Sequence, residues 1–136
     1  MAFTHGSKAI FKLDDANGTL TDISAYITRV SIPRNADTVE VTTLGYTDKG
    51  YIAGLKDATI SIEGIFDPAV DVILDAALGA SATKSFEYGP QGSGVGSLNY
   101  TGECICTSYE PETGIDGAGT FSAELQVSGI ITRGTY

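Results

Sequence analysis

The side chains able to do chemistry are few, and their spacing does not suit it. The one histidine, His5, stands near the amino end, so a Ser-His or Cys-His nucleophile pair could draw on that residue alone. Cys104 and Cys106 sit at i and i+2 of an alternating run, on one strand face with Cα atoms about 6.5–7 Å apart. That separation is at or past the reach of an internal disulfide. With a single His the C-x-C pair also falls short of the four ligands a zinc site needs. Both cysteines read as small buried hydrophobes, and a bridge to a neighbouring subunit stays open only if their face meets an interface.

The carboxylates do not converge either. Asp14-Asp15 fall in a turn and Asp71 and Asp75 on a solvated helix face, and the chain has no Trp to build a sugar platform. ETGIDGAG at 112–119 offers Glu112 and Asp116 as its side-chain carboxylates, which is thin for calcium. GPQGSGVGS at 89–97 imitates a phosphate loop, but no helix start follows and the Walker lysine is missing. Asn17-Gly18-Thr19 and Asn99-Tyr100-Thr101 match a glycosylation acceptor that matters only on a secretory route. The expectation is therefore no catalytic residue, no metal and no cofactor, and a protein that is not an enzyme.

Composition narrows the partners. Eight Lys+Arg against 17 Asp+Glu leave a net charge of −9, which opposes stable nucleic-acid binding. No apolar run approaches the length of a membrane span. MAFTHGSKAIFKLDD lacks a charged n-region followed by an apolar h-region, so cytoplasmic synthesis and first assembly are expected. The 136 residues make a single domain, 1–136, with one core.

The elements that must position these residues are mostly strands. KAIFKL at 8–13 reads as a first strand, turned back by Asn17-Gly18. The run 22–32 alternates, then changes phase near Thr28-Arg29, which predicts a bulge, before Pro33 ends it. Strands follow over 37–44, 58–66, 83–88, 98–110 and 120–127. Asp67-Pro68 caps one helix whose apolar stripe is Val70, Ile73, Leu74, Ala77 and Leu78, stopped at Gly79. Seven or so strands and a helix give a mainly β, antiparallel sandwich or partly closed barrel with one flanking helix.

Two features remain unexplained by a solvated sandwich. The connection between the third and fourth strands, about 44–56, carries Leu44, Tyr46, Tyr51, Ile52 and Leu55 beside Lys49 and Lys56. It is too apolar for a linker and too long for a tight turn, so it should dock on something. Second, Glu40, Glu63, Glu103 and Glu124 each fall on the polar side of a different strand, with no Lys or Arg on the polar side of those four runs. A sheet's solvated face can be acidic without purpose, but mixed signs are commoner, and a single-sign face lets a polyanion pass without sticking.

V-E-V-T-T-L-G at 39–45, Y-I-A-G-L-K-D at 51–57, T-I-S-I-E-G-I-F-D at 59–67 running into a helix, and a final strand ending S-G-I-I-T at 128–132 resemble bacteriophage major tail tube proteins. The resemblance spans nearly the whole chain. It implies a structural subunit forming hexameric rings that stack helically into a hollow tube, with an inner β-barrel around the path of DNA delivered to the host. It also implies a place in the virion tail after assembly in the bacterial cytoplasm. The implied partners are further copies of the chain, a tail sheath, a tape measure protein and a tail terminator, with DNA passing transiently and no stable nucleic-acid or membrane binding. On this reading Glu40, Glu63, Glu103 and Glu124 line the lumen, and Leu44, Tyr46, Lys49, Tyr51, Ile52, Leu55 and Lys56 contact neighbouring subunits or the next ring. The rival is a monomeric β-sandwich module binding carbohydrate or another surface, which should stay monomeric when concentrated and present a pocket or aromatic platform.

Overall fold

The computed structural model describes residues 8–136 apart from 16, 46, 93 and 116, so His5, Tyr46 and Asp116 lie outside the described residues. Alternating apolar residues become nine strands: β1 (Ile10–Asp14), β2 (Leu20–Asp22), β3 (Ile27–Ser31), β4 (Arg34–Glu40), β5 (Tyr51–Ile65), β6 (Lys84–Gly89), β7 (Leu98–Glu112), β8 (Thr120–Val127) and β9 (Thr132–Thr135). All pair antiparallel in the order β2-β1-β6-β7-β8-β5-β3, with β4 continuing along β5 and β9 along β7. The sheet is not closed. The chain crosses from β2 to β3 in a 3-10 turn, Ser24–Tyr26, stitched to β1 by bonds from Ile23 N to Phe11 O (3.1 Å) and from Phe11 N to Ser24 Oγ (2.9 Å).

One side of this sheet is the core. Phe11, Leu13, Ile60, Ile62, Phe86, Phe121 and Leu125 are all at most 2% exposed, and no polar or charged residue is buried among the described ones. The helix α1 (Pro68–Ala77) lids that side with Val70, Ile73, Leu74 and Ala77. Its start follows from sequence, because Asp67 Oδ1 accepts from Ala69 N at 2.9 Å and proline at the first position gives up no bond the helix needs. Tyr109 of β7 donates its hydroxyl to Asp71 Oδ1 at 2.7 Å, fastening helix to sheet. Cys104 and Cys106 are free thiols on the core side under this helix.

Three departures from the sequence reading have physical causes. The chain is back in the sheet well before 57: β5 begins at Tyr51, β4 begins directly after Pro33, and the connection is only residues 41–50. Glycines and lysines masked a real alternation there. The run 22–32 is split by the 3-10 turn, while the predicted bulge is present as a register shift between Ile27 and Arg29. The last strand breaks after Val127 and resumes at Thr132, so β8 and β9 act as one interrupted partner of β7.

Candidate assembly surfaces

The first surface is a two-stranded arm. Beyond Ala58, β5 has only β4 for a partner, in the register Arg34↔Ala58, Ala36↔Lys56, Thr38↔Ala53 and Glu40↔Tyr51. Every residue of β4, and Tyr51 to Asp57 of β5, is exposed. Leu44 is fully exposed and Leu55 is 83% exposed, with Val39, Val41, Tyr51 and Ile52 about half exposed. A two-stranded hairpin with no core on either side is marginal in water, so this ribbon displays apolar surface that the subunit itself leaves uncovered. Leu44 and Lys49 lie in the connecting tip; Tyr51, Ile52, Leu55 and Lys56 lie on the paired strand.

Within the arm two residues of β4 step against three of β5 between Ala36 and Thr38, which places a bulge at Gly54-Leu55. A side chain at Gly54 would press within 3.2 Å of Asp37, so glycine lets the strands approach there.

The second surface is the sheet face away from the core. Arg29 and Ser31 of β3, Ser61 and Glu63 of β5, Glu124 and Ser122 of β8, and Ser108 and Glu110 of β7 stand in register across four strands. They line a shallow groove of about 410 Å³. Glu63 and Glu124 are exposed on it, and Glu110, which the sequence pattern did not single out, joins them because the bulge between Cys106 and Ser108 brings even-numbered residues of β7 to this face. Arg29 joins as well, opposite Glu63, so this four-stranded part of the face carries one cation.

Glu103 is on the same side of the sheet but farther along, where it accepts hydrogen bonds from Ser85 Oγ (2.5 Å) and Thr83 Oγ1 (3.3 Å). Glu40 is elsewhere. It ends β4 out on the arm, on the side that Arg34 and Ala36 share with the buried Ala58, and it accepts from Thr42 Oγ1 at 3.2 Å. The structure thus brings Glu63 and Glu124 together, sets Glu103 apart and Glu40 on another element.

No cluster of three or more His, Cys, Asp or Glu able to hold a metal occurs among the described residues. Burial pushes the Cys104 thiol up to about 12 and raises Cys106 too, which makes them poor nucleophiles. No helix among the described residues is long and apolar enough to cross a membrane.

A family model described as phage tail tube protein matches residues 3–133. The chain belongs to that family. The tail tube protein also shares its fold with solved tail structures. One is titled the virion of a native gene transfer agent particle, with TM-score 0.80, 21% identity, and coverage of 98% of this chain and 100% of that one. A second is the tail of an empty gene transfer agent particle refined with C6 symmetry, with TM-score 0.75, 22% identity, and coverage of 96% and 98%. A third is the SPP1 tail tube, with TM-score 0.73, 17% identity, and coverage of 98% and 80%. At these identities the likeness is one of fold. No curated protein matches the chain. The tail tube protein is a structural subunit of a phage-type tail.

Proposed function

We propose that this tail tube protein closes six-membered rings by strand addition and stacks them helically into a hollow conduit through which DNA reaches the host. The observation that carries the reading is a pair of open edges. In the four-stranded part β3-β5-β8-β7, no strand pairs with the outer edge of β3, nor with the outer edge of β7 beyond Cys106, among the described residues. Unpaired edges invite another chain, and an edge-to-edge contact between copies generates a ring when its rotation closes. C6 symmetry in a structure of the same fold supports six.

In such a ring the face of Glu63 and Glu124 turns to the bore, with Glu110 at its rim. Glu103 extends that lining toward β6, while Glu40 sits with the arm. Carboxylates repel a phosphate backbone and release no counterions to it, so DNA slides. The arm, with Leu44, Lys49, Tyr51, Ile52, Leu55 and Lys56, reaches onto neighbouring copies, as does the tip that contains Tyr46. Solved structures of the same fold include sheath-tube and tube-terminator complexes of contractile injection systems, which supports a sheath and a terminator as partners; a tape measure protein fills the bore before DNA. The particle assembles in the host cytoplasm and the subunit does no catalysis. Electron microscopy of the concentrated protein tests the reading. Six-fold rings and tubes are expected, and a monodisperse monomer at every concentration overturns it.

A further inference from the structure

The two ends of β8 differ in charge and in shape. Past Val127 the chain passes Gly129, Ile130 and Ile131 beside the base of the arm, and together with Arg34, Leu55 and Lys56 they line an open groove of about 640 Å³. Ile130 is 84% exposed and Leu55 83%. Arg34 lies 5.7 Å from the Tyr100 ring. The ion pair recorded among the described residues is Lys12–Glu87, so neither Arg34 nor Lys56 has a carboxylate partner there. Asp57, the acid in this groove, is already engaged: its Oδ1 accepts from Gln126 Nε2 at 2.6 Å and from Ala58 N at 2.9 Å.

At the other end of β8, about 25 Å away by strand rise, the β7–β8 connection projects Ile115 at 99% exposure just past Glu110 and Glu112. No Lys or Arg occurs anywhere from Ser85 through Thr132. One end is therefore an apolar groove rimmed by unpaired cations, and the other an apolar knob rimmed by carboxylates.

We propose that the β7–β8 connection of one copy seats Ile115 in the groove between the arm base and Ile130 of a copy in the next ring, with Glu110 and Glu112 meeting Arg34 and Lys56. This deepens the ring reading and rests on it. A contact between two different patches at opposite ends of a subunit can repeat without closing when its rotation does not bring the chain of copies back on itself, which is what an open stack requires. The two patches also select orientation, since groove against groove sets cation on cation.

The test is cross-linking combined with charge exchange. Ile115→Cys and Ile130→Cys proteins are made separately; the native thiols are buried and stay out of the reaction. Under mild oxidation the mixture should form a covalent dimer that neither protein forms alone, and a chain carrying both changes should form ladders. Arg34→Glu with Lys56→Glu should raise the concentration at which tubes appear roughly tenfold or more, and adding Glu110→Lys and Glu112→Lys should bring it back down. Tubes that form with no Ile115–Ile130 product, or Ile130→Cys joining Leu44→Cys in its place, overturn the inference and leave the ring reading standing. Unchanged assembly of the Arg34 and Lys56 double variant overturns it as well. If the unaltered protein gives neither rings nor tubes, the ring reading falls and takes the inference with it.

Discussion

Arg29 stands directly across the β3–β5 ladder from Glu63, the one cation in register with Glu63, Glu110 and Glu124 on the exposed face. A cross-strand pair of opposite charge steadies the register by a few tenths of a kcal/mol. It also leaves the groove those residues line acidic by three charges to one. The Glu63→Lys, Glu124→Lys variant reverses that balance. Tubes of this variant should retain DNA in a mobility-shift assay and release it steeply as salt rises, whereas tubes of the unaltered protein leave DNA free. Equal retention by both would show that this face does not meet DNA.

The arm predicts a pattern of amide exchange. Residues 35–40 and 51–57 are paired but uncovered, while 59–65 lie between β3 and β8. In the dispersed protein the first two segments should exchange orders of magnitude faster than the third, because opening the ribbon exposes no core. Assembly should bring them level. Protection of the arm in a verified monomer would mean that the ribbon is stable unaided.

Cys104 and Cys106 should resist alkylation in the native protein at pH 8 and react once it unfolds. Burial, then the neighbouring Cys106, Glu103 and Asp14, raise Cys104 from 9.0 to about 12. A folded-state value above the unfolded one means that the thiol's contribution to stability is complete below about pH 9. It declines as pH rises from there toward 12. Thermal melts from pH 8 to 11 should show the alkaline decline, and Cys104→Ala should lessen it between about pH 9 and 10, at a cost in packing, while the raised Cys106, Tyr109 and Tyr136 keep the remainder.

Gly64 is the tightest glycine in the core. A methyl group there would collide with the Tyr26 carbonyl oxygen and come within 2.9 Å of both Ile27 Cα and the Phe121 ring. Gly64→Ala should destabilise by about 3 kcal/mol, at the upper end of overpacking effects, or prevent soluble expression. Gly114→Ala, in open space, should leave the melting temperature within a degree or two.

What could be read from the sequence tracks where the physics is local. The helix was legible because Asp67, Pro68 and the stripe from Val70 to Ala77 all act within one element. Glu63 and Glu124 share a face because simple alternation holds through the strands that carry them. Of the arm, 37–44 reads as a strand but 51–57 as part of a loop, because Gly54 and the bulge beside it interrupt the alternation of β5 there. Glu110 was missed because the bulge at Cys106–Ser108 shifts the alternation of β7 and no local residue pattern announces it. Glu40 was placed with the others because β4 buries neither of its faces, so its alternation does not report which side continues the core. Arg29 was overlooked because its relation to Glu63 depends on which strand lies alongside β5, a matter of topology.

If the paired but uncovered ribbon of β4 and the start of β5 docks on neighbouring copies as proposed, part of this molecule's order becomes a function of how many copies surround it. The core holds its own shape at any dilution, but the ribbon obeys mass action. On the proposed ring reading, a newly made subunit is finished in its body yet unfinished in its arm, and each arrival at a growing end would complete a piece of folding that the single chain could not perform.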